Sequence, residues 1–446
     1  MTRVLAVDVG TSSLRAEVYD EEARPVREVF RLRYEPGPEL DADELVRAAR
    51  EAIDAAGTID LVAYSCLWHS LVPLDERGRP VTFLSTWLDR RATEDAEALA
   101  QELDGAAVHA RTGAPLHPSF WPAQLRRLRR EGIRFARVAA FPDYLRSQLH
   151  GRLATTTSIA SGTGLFDVHR LRWDAELLDA VGVDESQLPE VDDGVVVLGD
   201  GAAANLGAGC VGPGRACISV GTSGALRVVR ERAAARPGLF LYRLDPRLYV
   251  QGGALSDGGA LLLWLEQMLG RPVGDALDRA PGPVTLLPQL GGERSPGWRV
   301  DAAGSLAGLS LATTSEEVVQ AAFEGIAYRF ADILDTLAWP SELGQLAQAN
   351  PRAGVGEVEE LVGTGAALLM RPGWAQLIAD VLELPVTFSG VPEASARGAA
   401  LVALGRLDLP APLGPRFEPR AERAAAHREA RDRLRRLYDA TGVPTS

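Results

Sequence analysis

Two Gly-Thr-Ser turns, each following an apolar strand, are the residues of this sequence best suited to phosphate chemistry. The first lies within residues 8–15 and the second within residues 218–227. Backbone N–H groups and hydroxyls of such a turn can surround phosphate oxygens without a lysine. A polar hairpin turn without a ligand explains either copy alone, whereas two copies favour phosphate binding. The candidate phosphate-binding residues are Gly10, Thr11, Ser12, Arg15, Gly221, Thr222 and Ser223.

Two aspartates stand where they could hold a metal ion and move a proton. Asp8 ends the first apolar strand, where its carboxylate could hold Mg²⁺ through water. Asp200 follows the apolar residues 195–198 and opens a helical segment of small residues. A carboxylate there can accept the proton of a hydroxyl group that attacks phosphorus. The alternative for Asp200 is an ordinary helix N-cap.

A third group of residues suits a polyhydroxylated ligand. Trp68, His69 and Ser70 follow a buried strand, at the kind of strand end where α/β sheets place ligand contacts. Trp87 and Asp89 follow another short strand and combine an aromatic surface with a hydrogen-bonding carboxylate. A hydrogen-bonded surface histidine and an N-cap aspartate are the alternatives.

Composition excludes several other kinds of chemistry. The chain has 446 residues and a net charge of −13, which disfavours nucleic-acid binding, and its 47 Lys+Arg residues are all arginine. Without lysine there is no Walker-type loop, no lysine Schiff base and no protein-kinase lysine. The 3 cysteines form no C-x-x-C pair, and the 6 histidines lack metal-ligand spacing. Because there is neither a signal-peptide pattern nor an apolar run of membrane-spanning length, we expect a cytoplasmic protein.

Alternating strands and helices predict an α/β fold with duplicated halves. Apolar strands and amphipathic helices alternate to about residue 140, and the opening pattern returns near residue 218. An acidic, irregular stretch at residues 189–194 separates the two copies. We therefore predict a boundary at residue 193, with domains 1–193 and 194–446 facing one cleft.

Two helices are predicted in the second half. Thr314 and Glu317 have the spacing of a capping box ahead of an apolar helical stripe that reaches Leu337. Residues 416–438 are rich in Ala, Arg and Glu, which indicates a solvated closing helix rather than a partner-binding one.

Taken together, these motifs resemble the FGGY family of carbohydrate kinases, and within it most of all the gluconokinase-type members. The resemblance covers nearly the whole chain, and Asp200 falls where the family has its catalytic base. The other matching segments are the first phosphate loop, the sugar-binding region, two gluconokinase-type segments, the second phosphate loop and the C-terminal signature, at residues 8–13, 68–91, 111–118, 161–167, 221–224 and 304–324.

The resemblance implies two ribonuclease-H-like domains of the actin-like ATPase class, with a central cleft in which ATP and a sugar meet. It implies ATP and Mg²⁺ as cofactors, Asp200 as a catalytic base that also contacts substrate, and Asp8 as the Mg²⁺ residue. It also implies that Gly365, Ala366 and Gln376 lie near the nucleoside.

Two segments depart from the family pattern. Gln124 and Arg127 stand where a lysine and a tryptophan are usual. Ala366 replaces the second glycine of the adenosine loop, and Arg371 precedes the proline that usually follows a serine. An added methyl group at Ala366 can crowd the adenine or the nearby backbone, so the nucleotide preference stays open.

The activity that the resemblance implies is transfer of the ATP γ-phosphoryl group to a hydroxyl of a sugar acid, above all D-gluconate. Arg90, Arg91, Arg294 and His69 are the candidate partners for its carboxylate. A xylulokinase-type ketose kinase is the alternative within the enzyme class, because residues 68–70 also fit that type.

Readings from other classes are an actin-like assembly or chaperone ATPase and a catalytically degenerate sugar-binding sensor. Retention of both aspartates and both Gly-Thr-Ser turns argues against the sensor. We expect the protein to bind a small sugar or sugar acid and to bind neither nucleic acid nor a membrane. The sequence leaves open whether it forms a homodimer.

Overall fold

The computed structural model describes residues 2–212, 214–338 and 358–441 of the chain, which form two domains, each built on a mixed β-sheet. The helices are α1 (Ala42–Ala56), α2 (Thr93–Glu102), α3 (Gly105–Thr112), α4 (Trp121–Arg130), α5 (Phe141–His150), α6 (Thr157–Ser161), α7 (Ala175–Val181), α8 (Asp200–Gly207), α9 (Gly259–Leu269), α10 (Ser315–Ala338), α11 (Ala366–Leu369), α12 (Pro372–Leu382), α13 (Ala394–Leu404) and α14 (Ala421–Thr441), with a 3₁₀ turn at Glu185–Gln187. The strands are β1 (Val4–Val9), β2 (Ser13–Tyr19), β3 (Pro25–Arg33), β4 (Glu39–Leu40), β5 (Leu61–Cys66), β6 (Ser70–Leu74), β7 (Leu84–Thr86), β8 (Arg137–Ala139), β9 (Ala154–Thr155), β10 (Phe166–Asp167), β11 (Arg172–Trp173), β12 (Glu190–Val191), β13 (Val197–Gly199), β14 (Gly214–Val220), β15 (Gly224–Arg230), β16 (Phe240–Arg243), β17 (Tyr249–Leu255), β18 (Thr285–Leu287), β19 (Ser305–Ala307), β20 (Val358–Thr364), β21 (Val386–Ser389) and β22 (Leu413–Phe417).

The first large sheet has five strands in the order β13-β5-β1-β2-β3. Strands β1, β2 and β3 are antiparallel neighbours, whereas β5 and β13 extend the sheet in parallel. Every residue of β1 is buried, as its apolar sequence predicts for a central strand, and Asp8 is the polar exception. The register places Asp8 opposite Arg15 on β2 and opposite Ser65 on β5.

The second large sheet repeats this arrangement. Its order is β16-β17-β15-β14-β20-β21-β22, in which β14, β15 and β17 are antiparallel and β20 and β21 extend the sheet in parallel. Apart from the edge strands β16 and β22, the two sheets therefore share one strand order and one pattern of directions. The predicted α/β fold of two ribonuclease-H-like domains is confirmed.

The first sheet takes its last strand from beyond the predicted boundary at residue 193. Strand β13 lies parallel to β5, with Val197 opposite Tyr64. The acidic residues that suggested a linker belong to the first domain: Asp193 accepts hydrogen bonds from Thr157 at the start of α6, and Asp192 pairs with Arg146. We therefore move the division between the domains past α8, to the segment between residues 207 and 214.

Helices α8 and α13 cross in direct backbone contact between the two sheets. A Cβ atom added at Gly398 of α13 would lie 1.9 Å from the carbonyl oxygen of Ala203, and one added at Gly207 of α8 would lie 1.7 Å from that of Ala394. Buried Arg397 donates from Nη1 to the carbonyl of Gly207 at 2.8 Å, which supplies a cation and a donor to the C-terminal end of α8. The crossing is possible only because both contact positions are glycine.

Helix α13 also covers one face of the first sheet. Small residues of the helix, including Ala396, Ala399 and Ala400, pack with Val4 and Ala6 of β1 in a separate apolar cluster. A helix from the second half of the chain thus completes the core of the first domain.

The two helices predicted in the second half are present. The Thr314 N–H donates to the Glu317 carboxylate at 2.8 Å and the Glu317 N–H to the Thr314 hydroxyl at 3.3 Å, so the capping box at the start of α10 is confirmed. Helix α14 closes the second domain with one buried face, but it begins at residue 421, because residues 413–417 form β22 at the sheet edge. None of the helices in the described ranges combines the length and apolar character that crossing a membrane requires.

Because α8 and α13 are in direct contact, we expect one methyl group added at their crossing to lower the stability of the protein. Gly398→Ala should push the two helices apart and lower the free energy of unfolding by roughly 1–3 kcal/mol. For domains of this size we expect a fall in Tm of about 5 °C, measured by calorimetry.

Gly105→Ala is the matched control, because Gly105 is also helical and a Cβ atom there would meet nothing within 4 Å. This variant should be neutral or slightly more stable than the wild type, since alanine favours helix over glycine by up to about 1 kcal/mol. Equal melting temperatures for the two variants would contradict the importance of the crossing.

Candidate active site

Two adjoining cavities lie between the domains, and the predicted loops and Asp200 line them. The larger, of about 1150 Å³, is lined by residues of both Gly-Thr-Ser turns, of α9, of α11 and of the loop before α13. The smaller, of about 110 Å³, contains Asp200 at its wall together with Thr11 and Ser223 from the two turns. We refer to them as the phosphate cavity and the substrate cavity.

The first turn divides its side chains between the two cavities. The Gly10 N–H donates to the Ser13 carbonyl at 2.9 Å and closes the turn. Ser12 lines the phosphate cavity, as predicted. Thr11 lines the substrate cavity instead, where its hydroxyl accepts a hydrogen bond from Trp87 Nε1 at 3.3 Å. Thr11 therefore lies at the junction where a transferred phosphoryl group would have to pass.

The second turn is anchored to the N-terminus of α9. The carbonyl of Gly221 accepts from the Gly259 N–H at 2.7 Å, and the carbonyl of Thr222 accepts from the Gly258 and Ala260 N–H groups at 3.1 and 3.0 Å. These bonds satisfy N–H groups at the start of α9, which has no side-chain cap. Thr222 lines the phosphate cavity, and Ser223 lines the substrate cavity.

The two turns differ by one residue in length, and their arginines are not equivalent. The first hairpin pairs Val9 with Leu14, whereas the second pairs Val220 with Gly224. Arg15 is one residue beyond the last pair of its hairpin and stands opposite Asp8 in the phosphate cavity. Arg227 is three residues beyond the last pair of its hairpin, stands opposite Cys217 and lines the substrate cavity. The sequence repeat alone did not identify Arg227 as a residue of that cavity.

Asp8 lies at the base of the phosphate cavity, where burial disfavours its negative charge and two polar neighbours favour it. It is 4% exposed, its Oδ1 accepts from the Ser65 hydroxyl at 2.7 Å, and its Oδ2 lies 3.4 Å from Arg15 Nη2. Burial raises the pKa of Asp8 to about 6, although Arg15 and Ser65 oppose the shift. Arg15 also forms a short ion pair with Glu393, which precedes α13.

One carboxylate at this position fits Mg²⁺ that arrives with a nucleotide. Across the described residues there is no group of three or more His, Cys, Asp or Glu side chains arranged to hold a metal ion. Mg²⁺ commonly keeps water ligands and uses one or two carboxylates together with substrate phosphates. Asp8 and the neighbouring hydroxyl of Ser12 supply hard oxygen atoms of that kind.

Asp200 is the first residue of α8 and reaches the wall of the substrate cavity. Strand β13 leads into it, and its Oδ1 accepts from the Gly201 N–H at 2.8 Å. Burial raises the pKa of Asp200, whereas the positive charges of Arg227 and Arg294 lower it. Burial is the larger effect, so the carboxylate is more basic than that of an exposed aspartate, which suits proton transfer.

Aromatic rings form most of the remaining wall of the substrate cavity. Trp68 donates from Nε1 to the Ser158 carbonyl at 2.7 Å, and its ring meets Tyr242 edge-on. Trp68 and Trp87 were predicted, whereas the other aromatic lining residues were not: they are Phe120, Phe240, Tyr242 and Trp298. They come from segments without a distinctive motif, and their rings exclude water from the site.

Two arginines that line the substrate cavity carry N–H groups without a hydrogen-bond partner. Arg294 lies over the Trp87 ring at 4.2 Å and donates from Nη2 to the Leu255 carbonyl at 2.8 Å. Its buried Nε and the buried Nη1 of Arg227 have no hydrogen-bond partner among the described residues. Burial lowers the pKa of Arg294 to about 10, so it stays cationic at neutral pH.

His69 lines the substrate cavity as a neutral acceptor. Its Nδ1 is 3.0 Å from the Gly162 carbonyl, which can only accept, so Nδ1 carries the hydrogen and Nε2 the lone pair. Burial, and next the charge of Arg294, lower the pKa of His69 to about 4. The expectation that His69 could act as a cationic partner for a carboxylate is therefore wrong.

Ser70 and Asp89 do not line either cavity, contrary to the sequence prediction. Ser70 is 1% exposed, and its hydroxyl accepts from the Phe141 N–H at 3.0 Å, which joins β6 to α5. Asp89 is equally buried, binds Arg91 Nη2 at 2.7 Å and lies 3.6 Å from Arg127. Their polar atoms are already engaged with neighbouring elements, and Arg91 is bound to Asp89 and Glu39.

One end of the phosphate cavity lies between α9 and α11, where the sequence predicts the nucleoside. Gly365 has φ +87°, and a Cβ atom there would lie 2.4 Å from the Val220 carbonyl oxygen, so only glycine fits. Ala366 lines the cavity as predicted. Gln376 does not line it, because its side-chain amide donates to Asp380 at 3.0 Å and to the Glu418 carbonyl at 2.8 Å. The apolar surfaces facing each other across this end include Leu262, Leu263, Ala367 and Met370.

Comparison with known proteins identifies the family. The N-terminal domain model of the FGGY family of carbohydrate kinases matches residues 3–207, and the C-terminal domain model matches residues 216–405. A gluconokinase of Bacillus subtilis (strain 168) is 26% identical over 466 residues, covering 91% of this chain and 88% of that protein. A glycerol kinase of Leptothrix cholodnii is 32% identical over 475 residues, covering 90% of each chain.

Solved structures agree in fold. The ligand-bound xylulose kinase of Lactobacillus acidophilus superposes with a TM-score of 0.88 at 22% identity, covering 100% of this chain and 99% of that one. Both domain models together span most of the sequence, and the two cavities lie between the domains they match. The chain therefore belongs to the FGGY family of carbohydrate kinases and is a phosphotransferase that acts on sugars.

Proposed function

We propose that the protein transfers the γ-phosphoryl group of ATP to a terminal hydroxyl of a sugar acid, D-gluconate. The observation that carries the proposal is the substrate cavity, in which Asp200 lies with two arginines that keep unpartnered donors. A neutral sugar offers no anion for these donors, whereas a carboxylate does.

Asp200 acts as the general base. Its carboxylate accepts the proton of the attacking hydroxyl as that oxygen forms its bond to phosphorus and the bond to the leaving diphosphate breaks. The positive charges of Arg227 and Arg294 oppose the rise that burial gives to the pKa of Asp200. Because the reaction has little covalent chemistry for the protein to perform, placing base, hydroxyl and phosphate in line supplies most of the rate.

The two turns hold the nucleotide phosphates on the other side of Asp200. Thr222 and Ser12 contact them within the phosphate cavity, and Thr11 and Ser223 meet the transferred group at the junction. Mg²⁺ bound with ATP neutralises charge on the phosphate oxygens. Asp8 is the residue that would hold it, and the purine lies between α9 and α11.

The sugar acid is held by residues of both domains. Trp68 and Trp87 offer apolar faces to its carbon chain, and the Nε2 lone pair of His69 accepts from a hydroxyl. Arg294 is the cation best placed for the carboxylate, because Arg91 is bound to Asp89 and Glu39. A cavity of about 110 Å³ is small for a ligand site, so the domains must separate to admit the sugar.

Replacing the base tests the proposed chemistry. Asp200→Asn should lower kcat by roughly 10²-fold or more while leaving ATP affinity largely unchanged, because the amide cannot accept the proton. Stopped-assay turnover and ATP titration measure the two quantities. Asp104→Asn, which alters a helix N-cap of α3 outside the cavities, is the control and should keep wild-type turnover. Near-normal turnover of Asp200→Asn would remove Asp200 from this role.

The decrease of kcat/KM at low pH tests whether Asp8 must be ionised for activity. Activity needs Asp8 ionised, so kcat/KM should fall as pH drops through about 6, where this carboxylate takes up a proton. The Ser65 hydroxyl stabilises the charged form, so Ser65→Ala should raise the pKa of Asp8 and move the acid limb about 0.5–1 pH unit upward.

The matched control for that experiment is Ser85→Ala, another buried serine, on β7 and outside both cavities. Its acid limb should coincide with that of the wild type. Coincident profiles for Ser65→Ala and the wild type would show that Asp8 does not control the limb.

The substrate is tested by ADP release, coupled to NADH oxidation, with Mg-ATP and a panel of acceptors. We expect release that depends on D-gluconate and is absent without a sugar, because only the acid offers a negative charge to the guanidinium groups. The panel includes D-xylulose, L-ribulose and glycerol. Release that depends on a ketose instead would keep the mechanism and overturn the sugar-acid specificity.

A further inference from the structure

A small chamber adjoins the substrate cavity at Arg294. It has a volume of about 40 Å³ and shares Trp87, Ser119 and Arg294 with the substrate cavity, whereas Asp200 lines only the latter. One water molecule needs ~10–15 Å³ of such space, so the chamber has room for about three heavy atoms. A carboxylate group consists of three heavy atoms.

His117 presents a hydrogen-bond donor to this chamber. It is 8% exposed, and its Nδ1 accepts from the Ser119 N–H at 3.2 Å, so Nδ1 holds the lone pair. Burial lowers the pKa of His117 to about 3, so the neutral ring carries its hydrogen on Nε2. No described residue accepts a hydrogen bond from Nε2, and Trp298 packs edge-on against the ring and fixes its plane.

Two guanidinium groups border the chamber. Arg294 lines it, and its buried Nε lacks a hydrogen-bond partner, as described above. Arg90 forms no side-chain hydrogen bond or ion pair with the described residues and lies over Gly292. Gly292 has φ +75°, and a Cβ atom there would lie 3.1 Å from both Arg90 Nη1 and Nη2. The missing side chain therefore leaves the space that Arg90 needs to cover the chamber.

The nearby acids do not cancel these charges. Glu293 also lines the chamber, but its oxygens are bound by Arg329 and by Arg299, the latter at 3.2 Å. Asp257 lies close to Arg294, accepts from the Gly291 N–H at 3.2 Å and has its pKa raised to about 6 by burial. It is outside the chamber lining, which is largely apolar and has Arg90, Arg294 and His117 among its polar residues.

We propose that this chamber is the subsite for the substrate's carboxylate, with Arg90 and His117 as specificity-determining residues beside Arg294. The inference rests on the proposed function and refines it, because it fixes which end of the sugar acid lies where. With the carboxylate in the chamber, the carbon chain extends through the substrate cavity. The hydroxyl at the opposite end of the chain then meets Asp200.

The test compares KM for D-gluconate, KM for ATP and kcat in the full-length protein. Arg90→Gln and His117→Asn should each raise the gluconate KM about ten-fold or more while leaving the ATP KM within two-fold, because each removes a charge-assisted donor to the carboxylate. Asparagine at 117 keeps an acceptor for the Ser119 N–H but removes the donor at the Nε2 position. Arg134→Gln, at an exposed arginine outside both cavities and the chamber, is the control and should match the wild type.

Conservative variants separate recognition from a structural role. Arg90→Lys and His117→Gln restore the charge and the donor, so both should recover most of the gluconate affinity, and melting temperatures should stay unchanged throughout. A gluconate KM within two-fold of the wild type in Arg90→Gln and His117→Asn would overturn the chamber assignment alone. A wild-type protein that phosphorylates a ketose but not gluconate would overturn the sugar-acid specificity and the subsite together.

Discussion

The contact between α8 and α13 is the constraint on which the positions of the catalytic groups depend. The two helices approach until the backbone of one touches the glycines of the other, at Gly207 and Gly398. Asp200 stands at the start of α8, and the second phosphate turn follows α8 by one strand. Glu393, at the entrance to α13, binds Arg15 beside Asp8. A shift at the crossing would therefore move the base and both phosphate turns relative to one another.

A strongly acidic protein must create its attraction for a polyphosphate locally. With a net charge of −13 and no lysine, this chain uses guanidinium groups at a few sites and backbone-anchored turns at others. Most arginines of the site region are bound to carboxylates, as Arg15 is to Glu393 and Arg91 to Asp89. Arg227 and Arg294, which line the substrate cavity, each keep an unpartnered donor, and so does Arg15, at its Nε, in the phosphate cavity. Unpartnered guanidinium donors therefore occur beside both cavities.

The sequence predicted what depends on local pattern. The apolar strand before Asp8, the Gly-Thr-Ser turns, the capping box at Thr314 and the duplicated strand order all follow from residue type and spacing, and the structure has them. It could not predict that Arg227 lies two positions farther from its turn than Arg15 and lines the other cavity, because register is set by pairing between strands.

The sequence predictions that differ from the structure concern the direction of side chains and the pairing of segments far apart in the chain. Ser70, Asp89 and Gln376 are near predicted site residues in the sequence. In the structure, however, the polar atoms of each side chain are hydrogen-bonded or ion-paired to a neighbouring segment. Strand β13 was assigned to the second domain because an acidic loop resembled a linker, although that loop binds the first domain through Arg146 and Thr157. Because α13 covers the first sheet, the sheet residues are synthesised long before the helix that packs on them. Val4 and Ala6 emerge from the ribosome almost four hundred residues before Ala396 and Ala400, so one face of the first sheet stays bare through nearly all of translation.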